Sequence, residues 1–480
     1  MKVIKIGGGC LNGKKTISAI LDLLSVRGKG NIIVVSALHG ITDMLIEGMK
    51  SALADDQNIP DLMSQLKHRH MLVAKYLIPS GLPLREYRQD LSRMLAQLER
   101  MFYGLNFTRE ITPRISDHIS SFGERLSGQL LSAAMRASGT RSLYRMPHKI
   151  GIVTDGKYGD ATANLVKTAR NLRQNVIPTL KASQVLFIPG FFGVSENGEI
   201  TTFGRGGSDY AAAVVTAASG AEMLEIWKDV DGFLSADPRF IEGAELISEL
   251  SYDEAAELSY FGAKILHPRT VEPLRKSRLP IEIRNTMNPD VTGSRVTNRK
   301  IVTPSVVKSV AHTTDIGIIK IHAPGVGVRP GIFGDVSVAV AEGGVNIKSV
   351  VTSQTCISLL LAQRDLESAR QALQAARPRH FRRLEKEEDI ALVSIVGEGM
   401  ARKPGIAARC FSAAAACKVN IEMIAFGPSP VACYFIVKER DLPKAVTAIH
   451  TTFFGDPGRS GRSGVDRGSG QAKHLITNDI

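Results

Sequence analysis

The chain has 480 residues, 44% of them hydrophobic and 22% charged, and a formal net charge of +13. Single cores stop growing at about 250–300 residues, so two or three domains are expected. No apolar run approaches the roughly 20 residues that span a bilayer, and the first residues lack a basic segment leading into an apolar stretch and a small-residue cleavage site, so a cytoplasmic protein without a membrane partner is expected.

Residues 1–40 alternate in type: VIKI reads as a short strand, GGG as a loop, TISAILDLLSV as an apolar-periodic helix and NIIVVSA as a second buried strand. A largely helical stretch follows over 46–105. Strand and helix signals alternate again over 123–284, with VLFIPGFFG and EMLEIWKDV as the strongest strands. The rhythm predicts an α/β domain over residues 1–290 with a mostly parallel sheet. Beyond residue 305 the sequence repeats with a period of 74: Asp315, Ile316, Pro330, Gly331, Ile332, Val345, Asn346 and Ile347 recur as Asp389, Ile390, Pro404, Gly405, Ile406, Val419, Asn420 and Ile421. Each copy reads strand, helix, strand, strand, helix, which predicts two α+β modules of ferredoxin-like topology over 305–375 and 389–454. A Gly/Ser/Arg-rich stretch over 455–480 reads as a disordered tail. Part of the positive excess sits there and part in RPRHFRR (377–383), and it forms no single basic stripe, so no nucleic-acid partner is expected. Five scattered cysteines without CxxC spacing indicate neither zinc nor a disulfide framework.

Lys5-Ile6-Gly7-Gly8-Gly9 places a lysine at the end of the first strand and glycines at the turn into a helix, where bare amides can hold phosphate oxygens. Lys5 reads as a mobile charge over a transferred group, or else as a solvated lysine beside a tight turn. Gly8, four residues, then Gly13-Lys14-Lys15 approaches GxxxxGK[ST] but lacks the final hydroxyl, so a P-loop ATPase is the alternative for this region. Gly325-Val326-Gly327 with Gly331 mimics a dinucleotide fingerprint with one residue too many and reads as a loop. In Phe203-Gly204-Arg205-Gly206-Gly207-Ser208-Asp209-Tyr210 the glycines permit close approach, Arg205 can clamp a carboxylate, Ser208 can donate and Asp209 can orient lysines or a metal.

With these residues in place the chain resembles the aspartate kinases of the amino-acid kinase superfamily. The motifs stand in order as KIGG, SALHGIT, GERLS, GRGGSD, WKDV and GAKILHP, and the repeats resemble paired ACT modules. The resemblance implies Mg2+ and ATP as cofactors and L-aspartate as the substrate, with γ-phosphoryl transfer to its β-carboxylate. It places Lys5, Gly7, Gly8, Lys228, Asp229, Leu234, Arg239, Lys264 and Ile265 at ATP, and Ser36, Thr42, Glu124, Phe191, Arg205, Gly206, Gly207 and Ser208 around aspartate. Lys5, Asp209 and Lys264 carry the charge chemistry, and no side chain is assigned to the metal. A related kinase of another carboxylate is the second alternative, because Gly9-Cys10 replaces the Thr-Ser usual in the family; Cys10 itself reads as a small packing residue.

In the first repeat the resemblance points to an effector cleft built by Val326, Arg329, Ile332, Phe333, Asn346, Ile347, Lys348 and Ser353. Lys348 stands where lysine-sensitive relatives place an acid, which favours threonine over lysine as effector; Glu422 occupies the equivalent place in the second repeat. The modules are expected to pair subunits into a homo-oligomer, because each leaves sheet edges and one sheet face to be covered. A fused dehydrogenase is not expected.

Overall fold

The computed structural model describes residues 1–262, 265–376 and 381–455. β1 (Val3–Ile6), α1 (Lys14–Arg27) and β2 (Ile32–Val35) form the opening, and every residue of both strands is buried, as strands covered on both faces of a parallel sheet require. A helical layer follows: α2 (Ile41–Ala54), α3 (Asn58–Leu77), α4 (Leu82–Thr108), α5 (Pro113–Ser120) and α6 (Phe122–Ala137). In α4 the stripe Tyr87, Leu91, Leu95, Leu98, Phe102 and Leu105 recurs every three or four residues and is the buried one.

The chain returns to the sheet with β3 (Ser142–Tyr144), passes through α7 (Pro147–Ile150) and α8 (Leu165–Asn175), and adds β4 (Val185–Pro189) and the hairpin β5 (Phe192–Val194) and β6 (Ile200–Thr202). Then come α9 (Gly207–Ser219), β7 (Leu224–Lys228), β8 (Glu249–Ser251), α10 (Tyr252–Tyr260), α11 (Glu272–Arg275), β9 (Ile281–Asn285) and β10 (Arg295–Thr297). Eight strands form one sheet in the order β3-β4-β2-β1-β7-β9-β10-β8, parallel except between β9 and β10. The mostly parallel sheet read from the sequence is therefore present. Ile6 lies opposite both Val35 and Trp227, and Val35 opposite Pro189. The loops leaving β1, β2, β4 and β7 consequently emerge together at the carboxyl edge, where open α/β sheets bind ligands.

β11 (Ser309–Thr313) precedes the first repeat, which runs β12 (Gly317–His322), α12 (Ile332–Glu342), β13 (Ser349–Thr352), β14 (Cys356–Leu361) and α13 (Leu366–Ala376). β15 (Arg383–Glu387) precedes the second: β16 (Ile390–Val396), α14 (Ile406–Ala416), β17 (Met423–Phe426), β18 (Ala432–Lys438) and α15 (Leu442–Phe454). Each repeat has the element order read from the sequence, but the two sheets exchange strands. β11 pairs with β16 in the second sheet, and β15 pairs with β12 in the first. Alternate residues of β12 face opposite ways: Ile319 and Ile321 lie beneath the first module's helices, while Ile318 meets Phe261, Leu392 and Ile436. The sheet faces expected to await another subunit thus meet each other around Phe261. Among the described residues no helix is long and apolar enough to cross a membrane. Lys264 and residues 456–480 lie outside the described residues.

Candidate active site

A cavity of 450 Å³ opens at the glycine turn and is lined by Lys5, Gly7, Gly8, Gly9, Cys10, Lys228, Asp229, Val230 and Ile265. The Gly7 N–H donates to the Trp227 carbonyl at 2.9 Å, and a Cβ on Gly7 would sit 3.1 Å from that oxygen. The turn therefore runs against β7 at a separation that suits glycine, leaving bare backbone facing the cavity. Lys5 is buried rather than mobile, contrary to the sequence reading, because its ammonium pairs with Asp209 in the first turn of α9. Lys228 Nζ approaches the other Asp209 oxygen at 3.6 Å. Burial works against an ionised Asp209, yet Lys5 and Lys228 together hold its carboxyl below the ordinary range. Burial, with Lys5 adding to it, lowers the Lys228 ammonium in turn. Two cations on one carboxylate leave positive charge beside the glycine amides, an arrangement suited to phosphate.

A second cavity of 540 Å³ adjoins it, and Lys5 lines both. Ser36, Thr42, Glu124, Phe191, Arg205, Gly206, Gly207 and Ser208 all lie on its wall. Glu124 is buried; one carboxyl oxygen accepts from Ser208 Oγ at 3.0 Å, and the other has no hydrogen-bond partner. Burial pushes its pKa up to about 7, against the lowering effects of Ser208, two backbone amides and Lys5. Arg205 is exposed at the rim and has no ion-pair partner among the described residues. Phe191 has a φ of 75° although it is not glycine, and a Cβ on Gly207 would lie 2.8 Å from its ring. Strain of this kind collects at functional sites, where the surroundings hold it in place.

Residues 1–285 match the model of the amino acid kinase family, and residues 393–453 match that of an ACT domain. The chain belongs to the amino acid kinase family. It is 30% identical to aspartokinase 1, chloroplastic, of Arabidopsis thaliana, over 94% of this chain and 80% of the relative. It is 29% identical to the bifunctional aspartokinase/homoserine dehydrogenase 2, chloroplastic, of Zea mays over 94% of its own length, but spans only 50% of that relative. Two structures of E. coli aspartokinase III are also similar. The complex with aspartate and ADP (R-state) shares the fold at a TM-score of 0.79 and 24% identity, over 95% of this chain and 100% of that one. The complex with lysine and aspartate (T-state) gives 0.78 and 25%, over 95% and 99%.

Of the other residues singled out in the sequence, Leu234 and Arg239 do not line the glycine-turn cavity. The Leu234 carbonyl accepts from Ser309 Oγ at 2.8 Å, and Arg239 is exposed and bound to Asp237. Cys10 packs as read, bonded to the Trp227 carbonyl and Thr286, with burial pushing its thiol up. Lys14 lies over the Tyr76 ring at 5.4 Å and lines neither cavity. In the first repeat Ile332 is buried, Val326 and Ile347 pack partly into the module core, Phe333 and Asn346 are exposed, and the Arg329 N–H donates to the Gly325 carbonyl. Ser353 Oγ closes the β13–β14 turn by accepting from the Thr355 and Cys356 amides. Lys348 leaves the module: its ammonium lies 5.1 Å from the centre of the Tyr260 ring, and its carbonyl accepts from the Tyr260 hydroxyl at 3.2 Å.

The sequence reading missed Asp117, which lines the second cavity and accepts from the Gly159 amide and from the Thr202 amide and hydroxyl at 2.8–2.9 Å. No local motif marks it. The one available signal was Thr112-Pro113, a helix N-cap followed by proline at N1, which sets α5 directly before the helix bearing Glu124.

Proposed function

We propose that the chain is an aspartate kinase that moves the γ-phosphoryl group of ATP to the β-carboxylate of L-aspartate, giving 4-phospho-L-aspartate for lysine, threonine and methionine biosynthesis. The observation that carries this reading is that Lys5, pinned by Asp209, lines both cavities. A group passing from one cavity to the other passes this ammonium. In the acceptor cavity, Glu124 takes the α-ammonium of aspartate and Arg205 a carboxylate, a charge-complementary pair on one cavity wall. The glycine amides and Lys228 hold the nucleotide phosphates, and Lys264 is proposed to join them. The chain then has to align acceptor and phosphoryl group and balance developing charge, which is most of what in-line phosphoryl transfer requires. Among the described residues Asp229 is the single carboxylate on the glycine-turn cavity wall, which fits a Mg2+ ion that arrives on the nucleotide. Bound there, it would neutralise phosphate charge.

A P-loop reading has no support from the position of Lys14, and the 30% identity with an aspartokinase favours aspartate over another carboxylate. We further infer a cytoplasmic homo-oligomer assembled through the ACT modules, on the outer strands such as β13 and β17, because the sheet faces already cover each other. Its effector would be a neutral amino acid such as threonine, a preference that rests on the lysine at position 348 in the sequence; the Lys348 ammonium itself turns to Tyr260, with Asp315 and Asp365 as well as Arg205 and Arg364 for charged neighbours. An assay coupled to ADP release, with and without L-aspartate, tests the main reading: release should require aspartate, and aspartate-independent release would overturn it.

A further inference from the structure

A third cavity, of 960 Å³, lies behind the acceptor cavity and takes no part in the chemistry above. α5 and α6 separate the two, and adjacent residues face opposite ways. Asp117 and Glu124 line the acceptor cavity, whereas His118 and Arg125 line this one. His148 on α7, Lys167 and Arg170 on α8, and Arg114 add to its wall, and the acids are Glu196 and Glu199 on the β5–β6 hairpin. Both acids are engaged, Glu196 by Lys167 and Glu199 by Arg114 at 3.4 Å. Arg125 and Arg170 have no ion pair among the described residues, so the wall carries two positive charges in excess.

Arg125 is the more telling of the two. Its guanidinium lies 3.8 Å from the centre of the Phe122 ring, and its Nε and Nη1 are buried without a hydrogen-bond partner. A buried cation without an acceptor is costly, and each such group in a folded protein calls for an explanation. Burial, reinforced by neighbouring cations including Arg125, holds His118 near 4 and lowers His148 as well. Both imidazoles are therefore uncharged at neutral pH and can accept as well as donate hydrogen bonds.

We propose that this cavity binds a small phosphate-bearing anion, with Arg125 and Arg170 as its charge partners and His118 and His148 as its hydrogen-bonding walls. Guanidinium forks match phosphate oxygens, and a partly protonated phosphate both donates and accepts, which suits imidazoles better than a plain carboxylate would. The volume is that of a pocket for an organic molecule, larger than a bare ion needs. The phosphate can come from an inorganic ion or from an organic ester, and the two probes below separate these sources.

The test is calorimetric titration of the full chain, saturated with Mg-ADP and L-aspartate, with inorganic pyrophosphate in one arm and ribose 5-phosphate in the other. Saturable binding of at least one probe is expected, and the tighter probe identifies the source. Arg125→Gln and Arg170→Gln should each weaken it roughly tenfold or more. Arg170 is exposed on α8, so its variant remains informative if Arg125→Gln fails to fold. No saturable binding of either probe up to about 10 mM, or binding unchanged in Arg170→Gln, would overturn the proposal.

Discussion

The Ser208 hydroxyl donates to the buried Glu124 carboxylate at 3.0 Å, joining two motifs 84 residues apart in sequence. The bond occupies one carboxyl oxygen and leaves the other without a partner in the acceptor cavity. With its pKa raised to about 7 by burial, Glu124 in the free protein is largely protonated below that pH. An incoming ammonium stabilises the ionised form, so aspartate binding releases a proton and weakens as pH falls. The aspartate KM should rise about tenfold between about pH 8 and about pH 6, and Glu124→Gln should have a high KM that no longer varies over this range. For the free protein the sign runs the other way. A carboxyl raised from 4.5 to about 7 removes stability as pH climbs through that window, and the loss levels off above it.

Lys5→Ala should lower aspartate-dependent ADP release by at least about two orders of magnitude, equivalent to roughly 2.7 kcal/mol of barrier. Lys14→Ala should leave it unchanged. A Lys5→Ala enzyme that kept about a tenth of normal activity or more would remove the assigned role. Asp209→Ala should also be inactive, and it should be less stable by about 3–5 kcal/mol, because it removes the carboxylate that two largely buried ammonium groups share. Urea unfolding measures that difference.

Arg205→Lys keeps the charge at the rim but loses the planar fork. The KM for aspartate should rise while that for ATP stays within about twofold. Equal rises in both would mean that Arg205 does not read the acceptor.

Lys308 and Glu254 form a buried pair at 2.8 Å, and Glu254 also accepts from the Ser251 and Glu398 amides. The pair ties the segment just before β11, α10 and the second module together. Lys308→Ala should lower the unfolding free energy by about 3–5 kcal/mol, because it strands a buried carboxylate. A loss below about 1 kcal/mol would indicate that water reaches the pair.

Threonine should inhibit at lower concentration than lysine, and Lys348→Asp should reverse that order. Inhibition by lysine that Lys348→Asp leaves unaltered would show that this residue does not select the effector.

Much of this protein was legible in local sequence. The runs VIKI and IIVV mark buried parallel strands, and the stripe from Tyr87 to Leu105 marks a half-buried helix. The 74-residue period carries the order of elements in both repeats. The residues that the motifs assign to aspartate share one cavity wall, because each motif sits on a loop or helix start at the carboxyl edge of the sheet, and strand register brings those edges level. What remained hidden depends on pairings between distant parts of the chain. The partners of β11 and β15 are chosen by sheet packing, so each enters the other repeat's sheet. Lys5 looked mobile until α9 set Asp209 against it. Asp117 carries no motif and acquires its place only through Gly159 and Thr202. Glu124 and Arg125 are neighbours in sequence, yet helix geometry turns one toward the acceptor cavity and the other toward a separate one, since successive helical side chains lie about 100° apart.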